Sequence, residues 1–327
     1  MTQKYIFAFL IAFVVTLVFA PLVFLMSKKI KAQQTILHYV KEHESKQGTP
    51  TMGGVMFILP AIVVSLFFFS EDFMLAIISL AVFLAYAVLG FLDDFIKVKF
   101  KQNLGLRAYQ KIIGQLGIAL IIAIFAYKFV GSEIIIPFTN NTIDLGIFII
   151  PIIIFVYVAT VNSVNLIDGL DGLCSWSSIS YIFFFSVILM MTASAQNGIM
   201  LAETQNILIS NYAVLGALFA FLFFNTYPAK IFMGDTGSLG LGGYIATVSI
   251  LTKNMLLIPI LGLVFVITTI SDIIQVLHFK RTKKRIFKMA PLHHHFQMSG
   301  VHENRVVFGY FLTGLILNLI VCALYTL

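Results

Sequence analysis

Charged residues are scarce in this chain of 327 residues: they make up 11%, where a soluble domain carries roughly 25%, and hydrophobic residues make up 60%. With a mean hydropathy of +0.99, the composition excludes a soluble globular enzyme, and disorder, collagen and coiled coil with it. Cysteine is nearly absent. Cys174 and Cys322 fall at ends of apolar segments expected on opposite faces of a bilayer, which excludes a disulfide and a cysteine-based metal centre. No polar linker of any size interrupts the chain, so the expectation is a single integral membrane domain over residues 1–327 instead of two soluble domains.

Acidic residues are fewer than basic ones, 14 against 21, and the net charge of +7 raises nucleic acid as a partner. Placement decides against it. Eighteen of the 21 Lys and Arg lie in the alternate inter-helix segments 27–54, 93–111, 225–238 and 278–306, as in a polytopic protein that keeps its basic loops cytoplasmic. A bilayer core of about 30 Å is crossed by about 20 apolar helical residues. Ten segments qualify: 5–26, 55–70, 73–92, 112–130, 145–161, 173–193, 207–224, 239–252, 255–277 and 307–325. The first is expected to be retained, because Lys28, Lys29 and Lys31 follow it and no small-residue cleavage pattern does. An even number of spans puts both termini on one side, and the basic loops make that side the outside. On that side, Glu133–Pro137 and Thr142–Asp144 flank Thr139-Asn140-Asn141 as a small β-hairpin does. On the inner side, Ile36, Leu37, Tyr39 and Val40, and later Ile286, Phe287 and Met289, punctuate Lys-rich sequence in the manner of interfacial amphipathic helices. No internal repeat is visible.

Five carboxylates, Asp93, Asp94, Asp168, Asp171 and Asp235, stand at inner ends of spans within apolar sequence, where an unpaired charge is costly. They are functional candidates. Asp93 and Asp94 are adjacent, and neighbours on a helix point about 100° apart, so two different roles are implied. In Asn162-Ser-Val-Asn165-Leu-Ile-Asp168-Gly169-Leu-Asp171-Gly172 a polar group recurs every third residue. Continued as helix, this run would set Asn165 beside Asp168 and Asp168 beside Asp171, a stripe suited to a sugar or nucleotide; its spacing is not that of a calcium loop. Residues 225–238, from Asn225 to Ser238, are glycine-bearing at a helix start and can offer N–H groups to phosphate. They lack a Walker Gly-Lys-Ser/Thr, and a lone Asp235 beside Gly234 suits Mg²⁺. Gly240, Gly242 and Gly243 read better as close helix packing. His293-His294-His295, after Pro291, would spread over about 200° on a helix and cannot converge on zinc. An irregular run offering imidazoles to phosphate is expected there. Lys46, Lys97 and Lys111 neighbour the acidic and glycine motifs and supply the cations that a pyrophosphate needs.

In order along the chain, Gly48-Thr-Pro-Thr-Met-Gly-Gly54, Asp93-Asp94, Asn165-Leu-Ile-Asp168-Gly-Leu-Asp171-Gly172, Phe232-Met-Gly-Asp-Thr-Gly-Ser238 and Pro291-Leu-His-His-His-Phe296 closely resemble the phospho-N-acetylmuramoyl-pentapeptide-transferase family, which makes lipid I of bacterial peptidoglycan. The resemblance implies transfer of phospho-N-acetylmuramoyl-pentapeptide from UDP-N-acetylmuramoyl-pentapeptide to undecaprenyl phosphate. It implies as well that UMP is released, that Mg²⁺ is the cofactor, and that the site faces the cytoplasm from the bacterial cell membrane. Asp235 is implied as the metal ligand, Asp93 and Asp94 as the acidic pair at the reacting phosphates, and His294 as a further catalytic candidate. Lys46, Thr51, Lys97, Lys111, Asn165, Asp168, Asp171, Asn225, Phe232, Gly234, Ser238, His293 and His295 are implied to bind substrate in the same cleft. A homodimer and a bent ninth helix are implied as well, whereas Asp272 belongs to none of these motifs. The fold class expected is an all-α polytopic membrane protein with about ten transmembrane helices, a small outer β-hairpin and a cytoplasmic active-site cleft. Two alternatives stay open: a related transferase using another UDP-N-acetylhexosamine, and a secondary transporter, which would carry its ionisable residues near the bilayer midplane within repeated halves.

Overall fold

A computed structural model describes residues 2–30, 48–100, 105–139, 141–193 and 198–326. Lys46 and the apolar positions 36–40 lie outside the described residues. Runs rich in Ile, Leu, Val and Phe form helices because a bilayer offers no partner to a backbone N–H or C=O, and a helix satisfies both internally. The order is α1 (Thr2–Ile30), α2 (Gly54–Phe68), α3 (Met74–Phe100), α4 (Ala108–Phe129), β1 (Glu133–Ile135), β2 (Thr142–Asp144), α5 (Ile149–Ile167), α6 (Leu173–Ala193), α7 (Gly198–Asn225), α8 (Gly234–Leu251), α9 (Leu257–Leu261), α10 (Leu263–Thr282), α11 (Leu292–Gln297) and α12 (Glu303–Leu324). Eight of these helices are long and apolar enough to cross a membrane. The 15-residue α2 and the 18-residue α8 complete the ten rods expected from hydropathy. The hairpin forms as expected, antiparallel, with Glu133 opposite Asp144 and Ile135 opposite Thr142. Lys253, in the turn after α8, reaches Glu133 at 3.0 Å and ties the hairpin to the bundle.

Helix α8 is the centre of the bundle, buried from Thr236 to Leu251 and packed against α3 and α5. Its glycines make that possible: a Cβ on Gly243 would overlap the Tyr86 ring, and one on Gly242 would overlap the Val161 backbone. The helix begins five residues before the apolar segment 239–252, so its polar first turn reaches the end of the bundle where the motifs gather. The ninth span is broken at Gly262, which separates α9 from α10 and gives the bend that the resemblance implied. Two expectations are corrected. Residues 286–289 form no amphipathic helix, because the side chain of Gln275 on α10 takes up their backbone: its Oε1 accepts the N–H groups of Ile286 and Phe287, and its Nε2 donates to the Phe287 carbonyl. The histidine run is not irregular either; it is the short helix α11.

Candidate active site

The chain before α2 runs alongside the chain before α8. Phe232 N–H donates to the Pro50 carbonyl at 2.8 Å, and the N–H groups of Gly53 and Gly54 donate to the carbonyls of Phe232 and Met233, both at 2.9 Å. This ladder brings Thr51 to Gly234. Gly234 has φ +72°, and a Cβ there would lie 2.6 Å from Asp94 Oδ2 and 2.9 Å from Thr51 Oγ1, so only glycine fits. One level away, Gly90 of α3 lies directly against the Asp235 backbone, with no room for a Cβ. That close approach carries the next turn of α3, with Asp93, Asp94 and Lys97, onto the start of α8.

Asp93, Asp94 and Asp235 offer carboxylate oxygens that all lie within 4.8 Å of one another. Their partners differ. Asp94 is committed to the backbone: Oδ2 accepts from Thr236 N at 2.9 Å and from Thr236 Oγ1 at 2.7 Å, and Oδ1 accepts from Asp235 N at 3.2 Å. It caps α8 from a neighbouring helix, at the end where the dipole favours a negative charge. Asp235 faces cations: Lys97 Nζ at 2.9 Å and Lys111 Nζ at 2.7 Å both meet its Oδ2, while Asn165 Nδ2 donates to its Oδ1 at 2.7 Å. Asp93 divides its oxygens, Oδ1 accepting the Leu106 N–H at 2.9 Å and Oδ2 lying 2.6 Å from Lys97 Nζ. Two ammonium groups thus grip Asp93 and Asp235, while Asp94 stands 3.9 Å from Lys97 Nζ. Hard oxygen donors in this number, at this spacing, fit a divalent ion that keeps part of its shell for phosphate or water.

The other motif residues surround this cluster unevenly. Asn165 also donates to Ser238 Oγ at 2.9 Å, which in turn donates to the Gly234 carbonyl at 3.0 Å. The stripe Asn165–Asp168–Asp171 does not continue as helix: α5 stops at Ile167, and Gly172 takes φ +81°, so the run is a turn after its first member. Asp168 faces Asp235 and Asp94, and burial, reinforced by those two charges and by Asp171, holds its carboxyl well above the usual carboxylate range. Asp171 points another way, accepting the Ala229 N–H at 2.9 Å. Asn225 is buried, its Oδ1 accepting from Ser175 Oγ and its Nδ2 donating to the Ile231 carbonyl, which folds the loop that leads through Phe232 to Gly234.

Helix α11 sits over the 168–172 turn. Pro291 precedes it in an extended conformation, and Ser271 Oγ accepts the Leu292 N–H at 2.9 Å. The three imidazoles diverge, as a helix requires. His293 is buried with neither ring nitrogen hydrogen-bonded among the described residues, and burial, with His294 beside it, holds its pKa well below the usual value, so the ring is neutral. His294 Nδ1 meets Gln297 Oε1 at 2.9 Å, and His295 Nδ1 accepts the Lys288 N–H at 3.1 Å. Both His293 and His294 press Nε2 against Gly169. Sequence reasoning did not single out Thr236, Ser271, Gln275, Gln297 or Glu303. Thr236 lay inside a quoted motif; the others stood in polar sequence or alone on a span, where nothing marks a residue whose work is to hold a loop.

Residues 74–253 match the family model described as glycosyl transferase family 4, and residues 46–58 match signature 1 of the phospho-N-acetylmuramoyl-pentapeptide-transferases. The protein of that name from Thermoanaerobacter sp. (strain X514) is 47% identical over 317 residues, 97% of each chain. The chain belongs to the phospho-N-acetylmuramoyl-pentapeptide-transferase family. Namesakes from Caldanaerobacter subterraneus subsp. tengcongensis and Bacillus subtilis (strain 168) are 44% and 42% identical, covering 97% and 96% of both chains respectively. The carboxylates at 93, 94 and 235 fall inside the family model, while the histidine helix lies beyond it, within the stretch matched only by the full-length relatives.

Proposed function

We propose that the protein transfers phospho-N-acetylmuramoyl-pentapeptide from UDP-N-acetylmuramoyl-pentapeptide to undecaprenyl phosphate, giving lipid I and UMP, at the cytoplasmic face of the bacterial cell membrane. The observation that carries this reading is the group of three carboxylates at one end of a membrane bundle, two of which, Asp93 and Asp235, are gripped by two lysines at 2.6–2.9 Å. Mg²⁺, held by Asp235 with Asp93 beside it, would neutralise the pyrophosphate and the departing UMP, as phosphoryl transfer requires. Lys97 and Lys111 exchange their carboxylate contacts for the donor's phosphate oxygens. Asn165 and Ser238 keep Asp235 in one orientation. Asp94 and Asn225 act through the backbone, Asp94 by capping α8 and Asn225 by folding the loop before it. Asp93 accepts the proton of the acceptor phosphate, whose second pKa is about 6. Asp168, whose neutral form burial favours, faces the donor, and Asp171, Thr51, Phe232, Gly234 and the histidines of α11 complete the walls. An apolar cavity of about 360 Å³ between α10, α11 and α12, lined by Val264, Ile267, Leu292, Phe296, Val306 and Tyr310, supports an acceptor with a hydrocarbon tail. The weight of basic residues in alternate loops supports a cytoplasmic site and outer termini. One membrane domain over 1–327, paired as a homodimer, completes the proposal.

Purified protein in lipid, given radiolabelled UDP-N-acetylmuramoyl-pentapeptide, undecaprenyl phosphate and Mg²⁺, is expected to yield labelled lipid and an equal amount of UMP. Labelled lipid from UDP-N-acetylglucosamine instead would favour the related transferase. Uptake into vesicles without a lipid product would favour a transporter.

A further inference from the structure

Glu303 is a buried acid that the reaction leaves unused. It stands in the first turn of α12, 7% exposed, and its two oxygens reach different segments. Oε1 accepts the Asp171 N–H at 2.7 Å, and Oε2 accepts from Gln297 Nε2 at 3.5 Å. Gln297, buried at the end of α11, turns its Oε1 to His294 Nδ1 at 2.9 Å. From the other side, Asp171 Oδ2 accepts the Ala229 N–H in the loop that leads to Gly234 and Asp235. A carboxylate at a helix N-terminus is favoured by the dipole whatever else it does. Capping alone does not account for this one, since His302 already caps α12 by accepting the Asn304 N–H at 3.3 Å, and both Glu303 oxygens are engaged by other segments.

Hydrogen-bond polarity then runs in one direction. A carboxylate only accepts, so Gln297 presents its NH₂ to Glu303 and its carbonyl to His294. A carbonyl only accepts, so the His294 proton sits on Nδ1 and Nε2 faces the turn at Gly169. We propose that Glu303 is a positioning residue for the transfer reaction: through Gln297 it sets the His294 tautomer, and through Asp171 it holds the histidine helix at a fixed distance from the carboxylate cleft. This rests on the reading of His294 as part of the site.

Glu303→Gln tests the proposal with little change in volume. It keeps an acceptor for Asp171 but turns an NH₂ group toward Gln297, whose amide must flip and reverse the His294 tautomer. Residues that orient a functional imidazole commonly alter activity by about 10–100-fold. The expected result is a fall of that size in kcat for lipid I formation, with both KM values and the thermal unfolding midpoint near wild type. Adding Gln297→Glu swaps donor and acceptor back into complementary order and again leaves a carboxylate oxygen for His294, so kcat is expected to recover. Unchanged kcat in Glu303→Gln, a loss that the swapped pair fails to restore, or a loss that follows the unfolding midpoint alone would each overturn the proposal. Wild-type protein that makes no lipid I would overturn the reading of the reaction itself, and the role of Glu303 with it.

Discussion

Lys97→Met is expected to impair turnover and to tighten metal binding. Lys97 Nζ lies 2.6 Å from Asp93 Oδ2 and 2.9 Å from Asp235 Oδ2, so its charge occupies the space that a divalent ion must share. Two unit charges 4 Å apart interact by about 4 kcal/mol at an effective dielectric of 20, and a divalent partner doubles that. Only part of this reaches a measured affinity. The Lys97 side chain is 33% exposed and can swing into solvent, where screening leaves an exposed pair about 1 kcal/mol or less. A residue between these limits is enough, because about 1.4 kcal/mol changes an affinity tenfold. Calorimetric titration of metal-free protein with Mg²⁺ is therefore expected to show a Kd lower by about tenfold in Lys97→Met. Lipid I synthesis by the same sample should fall severely, since the pyrophosphate has lost one of its two ammonium partners. Lys111→Met should shift the Kd the same way but less, because Lys111 contacts Asp235 at 2.7 Å and stands 3.9 Å from Asp93. Weaker Mg²⁺ binding in Lys97→Met would refute the reasoning, since the ion would then not compete with that ammonium for these oxygens.

Asp235→Asn should lose both Mg²⁺ binding and lipid I synthesis, and raising Mg²⁺ should restore neither, because an amide is a poor ligand for a hard cation. Gly90→Ala forces a Cβ into the Asp235 backbone and should lower thermal stability by about 1–3 kcal/mol and abolish turnover, while Gly117→Ala, with nothing within 4 Å of its Cβ, should leave the melting curve unchanged or slightly raised. Asp168 has its folded pKa above its unfolded one, so its ionisation opposes folding as pH rises through about 4. Asp168→Asn in metal-free buffer should accordingly be more stable than wild type at pH 8, with the gap closing as pH falls. Single cysteines in 281–288 should resist a membrane-impermeant reagent added outside intact cells, while one near residue 135 should react; the opposite pattern would invert the assigned orientation.

The ten rods were legible because lipid leaves an apolar run of sufficient length no alternative to a helix. What escaped reading was set by partners far away in the chain. Helix α8 starts at Gly234, ahead of its apolar stretch, because Asp94, 142 residues before Thr236 in the sequence, supplies a cap that no local pattern contains. Residues 286–289 carry the spacing of an interfacial helix, yet a single Gln275 binds their N–H groups and holds them as a loop. The stripe from Asn165 to Asp171 failed for a local reason that was open to view. Gly169 and Gly172 interrupt it, and Gly172 adopts a left-handed conformation that ends helical continuation.

In the site, residue type and spacing picked out carboxylates that the structure brings together but did not separate binding from holding. A polar residue in apolar sequence looks the same whether it meets a substrate or a backbone N–H. Asp94, Asp171 and Asn225 were candidates on equal terms with Asp93 and Asp235, and the difference lies wholly in what each one touches. Asp94 and Asp171 accept from main-chain N–H groups and Asn225 donates to a main-chain carbonyl, partners that cannot leave while the loops stay folded. Asp235 and one oxygen of Asp93 face lysine side chains that are 19% and 33% exposed, partners that can move aside. In a chain with so few charges, every buried carboxylate needs a partner, so burial alone marks no reactive group. The carboxylates whose partners are exchangeable are the ones able to trade an ammonium for a metal ion and return it to an entering phosphate. On that distinction Asp93 and Asp235 are proposed as the reactive pair and Asp94 as their support.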